Sequence, residues 1–141
     1  MNDPAAPSPA AEILGALHSL EDRLQTAIEP FELSLAKFGL LASLASAGKP
    51  ISLRALAERC ACVKSNITQL VDRLEAEGLV SREDDPEDRR SVRAVLTREG
   101  QKRHAAAARA LKAAEQEAFG HLTAGKLDEL LGLVRALKGG S

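Results

Sequence analysis

Helices should dominate this chain, with a single small β-hairpin as the exception, and three neighbouring stretches carry that expectation. The first is residues 63–78, in which Ile67, Leu70, Val71 and Leu74 recur at i, i+3, i+4 and i+7, the spacing that puts apolar side chains on one face of a helix. The second is the short run before it. Ser52 is placed to cap a helix through Leu53, Leu56 and Ala57 that stops near Arg59 or Cys60, with Ile51 stapling onto Leu56. Only Cys60-Ala61-Cys62 then separates the two helices, a turn so short that they must cross steeply. The third stretch follows Gly78, a C-cap candidate, where residues 79–83 and 91–96 read as two strands around the charged loop 84–90. In that order the pieces make a helix-turn-helix with a hairpin wing, the second helix presented outward.

That second helix has two chemically different faces. At roughly 100° per residue from Ile67, Ser65, Gln69 and Asp72 fall near the opposite pole, with Asn66, Thr68 and Arg73 on its flanks. Most polar helix faces simply meet water. This one is made of short hydrogen-bonding groups, the kind that can read the donors, acceptors and thymine methyls displayed in a DNA major groove. Ser65, Thr68 and Gln69 are the direct-readout candidates, while Asn66, Arg73 and Lys64 lie closer to where phosphates would run. Asp72 does not fit an open groove, because a carboxylate there must accept from cytosine or pair with a base. The expectation is an internal clamp with Arg73 or a wing arginine.

The remaining elements follow in order. Residues 1–9 carry too much proline for a helix and read as a disordered lead-in. A helix from Ala10 to Ile28 carries Ile13, Leu17, Leu20, Leu24 and Ile28, and Glu29-Pro30 ends it because the residue before proline is pushed out of the helical region. Ser34 caps a second helix through Leu35, Phe38, Leu41 and Leu44, closed by Gly48-Lys49-Pro50. After the hairpin, Thr97 caps a long Ala-rich helix from Arg98 to about Phe119, whose block at 105–108 leaves room for another helix to approach closely. Thr123 caps a last helix from Ala124 to Lys138, with Leu122 stapled towards Leu127 and a stripe of Leu127, Leu130, Leu131, Val134 and Leu137. This divides residues 10–141, a single domain, into a reading part at 34–97 and flanking helices at 10–33 and 98–138. A reading part this small leaves those Leu-rich stripes uncovered, and a second copy of the chain is the simplest cover.

Composition narrows the function classes. With 141 residues the chain can build one ordinary core, and aromatics at 2%, with no Trp or Tyr, exclude a stacking platform for single-stranded nucleic acid. The net charge of −1 gives no overall basic signature, yet Arg89, Arg90, Arg93, Arg98, Lys102 and Arg103 face only Glu99 among the acids of that stretch, a local +5. No stretch approaches the roughly 18 apolar residues of a membrane span, and the two cysteines form no disulfide framework, which together suit a cytoplasmic protein. There is no nucleophile elbow, phosphate-binding glycine pattern or metal-binding helix, so neither catalysis nor a cofactor is expected. His18, His104 and His121 have no zinc-like spacing to the cysteines.

Over nearly its whole length the chain resembles the MarR family of winged helix-turn-helix transcription regulators. The matching segments are Leu56-Ala-Glu-Arg59, Ser65-Asn-Ile-Thr-Gln-Leu-Val-Asp-Arg-Leu-Glu75, Glu77-Gly-Leu-Val80, Asp85-Pro-Glu-Asp-Arg-Arg90 and Leu96-Thr-Arg-Glu-Gly100. The resemblance implies a homodimer joined through the N- and C-terminal helices, placing two recognition helices on two half-sites of double-stranded DNA about 10 bp apart. It implies that Asp88-Arg89-Arg90 is the wing tip, with Arg90 entering the minor groove, Asp88 orienting it, and Arg89 and Arg93 as further contacts. It also implies a small-molecule effector, bound between the dimerisation helices and the reader, that changes the spacing of the recognition helices. With Phe31 and Phe38 the nearby aromatics, such a pocket would be mostly aliphatic.

The sequence departs from the family pattern at Val63 and at the two cysteines, and the acids of the wing pose a difficulty of their own. Val63 stands where the family usually carries a Ser cap, so either Ser65 caps a later start or the helix end goes uncapped at about 1 kcal/mol. Asp84, Asp85 and Glu87 put acids beside the basic wing, where they would repel phosphates unless they point aside. Cys60 and Cys62 stand where small or medium apolar residues are usual; they read as buried structural thiols, with a cysteine-based redox switch as the sharper alternative. A different class of function stays open beside DNA binding: a winged-helix module that binds a protein, which the near-neutral charge and acidic wing loop would suit.

Overall fold

A computed structural model describes residues 8–60 and 66–139. Helix α1, Pro9–Ile28, starts one residue earlier than expected. Proline is tolerated in a first helical turn, where its missing N–H is not needed, and the Ala11 N–H donates to Ser8 Oγ at 3.2 Å. A single 3-10 turn, Glu29–Phe31, closes on Glu32 in the left-handed region (φ 57°) and turns the chain back. Gln25 secures this corner: its Nε2 donates to Leu33 O at 3.0 Å and its Oε1 accepts from the Leu35 N–H at 3.1 Å. Helix α2, Leu35–Ala47, is capped by Ser34 and ends on Gly48 at φ 64°.

Strand β1, Ile51–Ser52, was not expected. It pairs antiparallel with the far strand of the wing, Ile51 opposite Ala94 and Ser52 opposite Arg93, so the hairpin becomes a three-stranded sheet of order β1-β3-β2. Two residues are too few to show a period-2 pattern. Ser52 then caps α3, Leu53–Arg59, accepting from the Ala55 N–H at 3.1 Å. Helix α4, Ile67–Ala76, follows. Its expected apolar stripe, Ile67, Leu70, Val71 and Leu74, is buried against Leu40, Leu41, Leu56 and Leu79, the centre of the core.

The hairpin is longer than its composition suggests. Strands β2, Val80–Asp85, and β3, Asp88–Leu96, replace the expected 79–83 and 91–96, and the seven-residue loop contracts to a turn at Pro86 and Glu87. Asp, Pro and Glu are poor strand formers in isolation, but these strands gain cross-strand partners: Glu83 sits opposite Arg93, and a register shift between Asp84 and Asp85 accommodates the tip.

Helix α5, Arg98–Phe119, packs on α1 and α2, with Ala107 and Leu111 buried. Its start is locked to the end of α4. The Gly100 N–H donates to Thr97 Oγ1 at 3.0 Å, the Thr97 hydroxyl donates to Gly78 O at 2.6 Å, and the Thr97 N–H donates to Leu79 O at 3.1 Å. Gly100 has to be glycine here, since a Cβ would lie 2.0 Å from Leu79 O. Helix α6, Ala124–Gly139, buries none of its side chains. Ile13, Leu14 and Leu17 on α1 and Leu130, Leu131, Leu133, Val134 and Leu137 on α6 are exposed.

Candidate nucleic-acid interface

The corner that presents α4 is built from small local decisions. Burying Leu56, Ile67, Leu70 and Leu74 fixes which side of α4 faces inward, so Asn66, Thr68, Gln69, Asp72 and Arg73 are left exposed on the other. Asn66 is the N-cap residue but makes no side-chain capping bond. Lys64, Ser65, Val63 and Cys62, and with them the choice of Ser65 as cap, lie outside the described residues. The C-terminus is closed firmly. Gly78 takes φ 77°, its N–H donates to Glu75 O at 3.0 Å, and the Leu79 N–H donates to Leu74 O at 2.9 Å, the paired bonds of a Schellman ending.

Both acids on α4, and Glu77 at its C-cap, are engaged by neighbouring elements. Lys37 on α2 reaches Glu77 at 2.7 Å, and Arg82 on β2 reaches Asp72 at 2.5 Å and Glu75 at 2.8 Å. The hydrogen bond to Asp72 raises the Arg82 pKa above its ordinary value; burial opposes it, and the hydrogen bond to Glu75 adds to the rise. Asp72 is therefore paired with a wing arginine, while Arg73 has no ion pair among the described residues. Arg82 is the residue that sequence reasoning missed. Its signal is the charge pattern Asp72, Glu75 and Arg82, which becomes legible only once β2 is known to lie along α4.

At the wing tip two of the acids turn to their own backbone, while Asp84 and Glu87 are exposed with no side-chain partner among the described residues. Asp85 Oδ1 accepts from the Glu87 N–H at 2.9 Å, and Asp88 Oδ1 accepts from the Arg90 N–H at 3.0 Å. Arg89 and Arg90 are exposed and form no ion pair among the described residues. Arg93 differs: it sits in the sheet with its Nη2 on Glu83 at 2.5 Å and its Nε buried without a partner. The structure thus brings Thr68, Gln69, Arg73, Arg89 and Arg90 to exposed positions on α4 and the hairpin it packs against, and engages Arg93 within the sheet.

Away from this surface, Cys60 is buried at the end of α3 with its Sγ 3.4 Å from Ser43 Oγ. No helix among the described residues is long and apolar enough to cross a membrane, and no group of His, Cys, Asp and Glu among them could hold a metal ion.

Comparison with known proteins places this arrangement. Residues 33–92, from the buried turn before α2 to the middle of β3, match the model of the MarR family. The chain is 37% identical over 83 residues to YkoM, an uncharacterized HTH-type transcriptional regulator of Bacillus subtilis strain 168, covering 59% of this chain and 50% of that one. It therefore spans about half the length of that relative. It is 36% identical over 94 residues to the transcriptional regulator HosA of Escherichia coli O111:H-, covering 66% of this chain and 70% of the relative. Among solved structures, Sco3205, a MarR family transcriptional regulator from Streptomyces coelicolor in complex with DNA, superposes with a TM-score of 0.84 at 27% identity, over 99% of this chain and 92% of that one. Sequence relatives, fold and the helix-turn-helix with its hairpin agree, and the chain belongs to the MarR family.

Proposed function

We propose that the protein is a homodimeric, sequence-specific regulator of transcription that binds double-stranded DNA, acting as a repressor on a palindromic operator. The observation that carries this reading is the division of charge on α4 and the wing: every acid on α4 is held by a neighbouring base, while Thr68, Gln69, Arg73, Arg89 and Arg90 are exposed without ion pairs among the described residues. A surface merely meeting solvent has no need of that sorting. The relative Sco3205, seen with DNA, supports the same partner. In this reading Ser65, Thr68 and Gln69 read base edges, and Lys64 and Asn66 lie closer to the phosphates. Arg73 and Arg89 hold phosphates, and Arg90 enters the minor groove with its backbone held by Asp88.

Dimerisation is supported by the apolar side chains that the single chain leaves uncovered on α1 and α6. Release by a small molecule is supported by a cavity of about 280 Å³ between α2, the Gly48–Pro50 turn, β3 and α5, lined by Leu44, Val95, Leu96, Gln101 and His104, where reader and long helix meet. Fluorescence-anisotropy titration against the DNA flanking its own gene, at 50 and 200 mM salt, tests the proposal. A dimer neutralising about 6–10 phosphates loses on the order of 10³–10⁵ in affinity between those salts. A flat salt response would rule DNA out and leave a protein-binding module in its place.

A further inference from the structure

The contacts of Arg82 are not those of an ordinary surface ion pair. Its Nη2 donates to Asp72 Oδ1 at 2.5 Å and lies 3.5 Å from Thr68 O, and its Nη1 donates to Glu75 Oε1 at 2.8 Å. Its backbone N–H donates to the other oxygen, Glu75 Oε2, at 3.1 Å. Thr68, Asp72 and Glu75 are spaced i, i+4 and i+7, so one strand residue grips a single face of α4 over two turns, from backbone and side chain together. The planar guanidinium fork suits this, since its N–H groups leave in fixed directions towards two carboxylates; a lysine ammonium has no such fork.

From this geometry we infer that Arg82 is a positioning residue for DNA reading: it fixes the angle between the recognition helix and the wing and keeps Asp72 and Glu75 turned away from the phosphates. The inference rests on the DNA-binding function proposed above and adds to it a residue that itself touches no DNA. Two elements that must enter adjacent grooves together bind best when their relative orientation is set beforehand, because that freedom is then not lost on binding. Three properties of the site fit this role better than a stabilising one. The carboxylates are largely exposed, at 58% and 42%, so the pairs add little to folding. The Arg82 side chain is only 25% exposed and faces α4, so it is already committed. And Thr68, one of the reading residues, has its own carbonyl within the reach of the same guanidinium.

The test uses the full-length protein. A duplex enriched from a random-sequence pool by the wild-type protein and a scrambled duplex of equal composition are titrated by anisotropy at several salt concentrations, for wild type, Arg82→Met, Arg82→Lys and Asp72→Asn, alongside thermal melts. For Arg82→Met the expected result is a loss of at least about tenfold in the ratio of selected to scrambled affinity, with the melting temperature little changed. The slope of log K against log salt should also stay within one phosphate contact, about 0.9. Arg82→Lys, which keeps the charge, and Asp72→Asn, which keeps the shape, should each lose part of that ratio; these two decide the matter should Arg82→Met fail to fold. Equal loss on both duplexes with a slope lower by about 0.9 would make Arg82 a phosphate contact and overturn the inference. Unchanged discrimination in the variants would overturn it too. A wild-type protein that enriches no duplex would instead fail the DNA-binding reading itself, before any variant is compared.

Discussion

Arg90 and His104 show how much a single side chain's surroundings decide. Arg89, Arg90 and Arg93 look alike as a basic cluster in the sequence, but the first two are exposed at the wing tip and the third is tied to Glu83 within the sheet. Arg90→Ala is expected to weaken duplex binding by about 1–3 kcal/mol with an unchanged melting temperature; unaltered anisotropy would take the wing tip out of the mechanism. His104 lies on α5 with its ring stacked on Phe38 of α2, centroids 5.1 Å apart and planes at 20°. Burial favours the uncharged imidazole, which lowers its pKa from the ordinary 6.5. The folded state then binds a proton less readily than the unfolded chain. Stability is fully present above pH 6.5 and is lost as the pH falls from there through the lowered value. Urea midpoints measured from pH 7.5 to 5 should show this decline, and His104→Phe should flatten it.

Among the elements, the junction of α4, the wing and α5 carries the most consequence. Thr97 joins two of them, capping α5 through the Gly100 N–H and holding Gly78 O at the end of α4. The sequence identifies the cap, whereas the second bond arises from the Schellman turn folding back beside it. Thr97→Ala therefore removes a cap and leaves a carbonyl without its hydroxyl partner, and should destabilise the fold by about 1–2 kcal/mol in denaturant titration. A cost near zero would mean that water replaces both bonds. The hairpin repeats the pattern: a run that looks like a charged loop becomes ladder because its acids and arginines meet across the strands and because β1 pairs along the other edge of β3.

At the scale of the whole molecule, the two ends of the chain are unfinished. The expected stripe of α1 divides along its length, with Ile28 buried, Leu20 and Leu24 half-buried, and Ile13 and Leu17 exposed, while α6 buries nothing. Leu133 and Leu137, at 65% and 67% exposure, are apolar groups that a second copy would remove from water. Leu133→Asp combined with Leu137→Asp is expected to shift the sedimenting species from dimer to monomer and to weaken duplex binding with it, since each half then binds alone. A wild-type protein that sediments as a monomer would refute the dimer directly.

What the sequence determines by itself is whatever depends on near neighbours. Ser34, Ser52 and Thr97 as caps, Gly48 and Gly78 at helix ends, and the stripe from Ile67 to Leu74 are local hydrogen-bonding and periodicity facts, and each stands in the structure where its spacing puts it. What only the tertiary structure decided is pairing between residues far apart in the chain. The two-residue strand β1, the full length of the wing, the commitment of Arg93 to Glu83 and the grip of Arg82 on Asp72 and Glu75 all depend on which strand lies beside which partner. The physical reason is range: a cap is satisfied within three residues, whereas a charge finds its partner only after the core has brought two elements together.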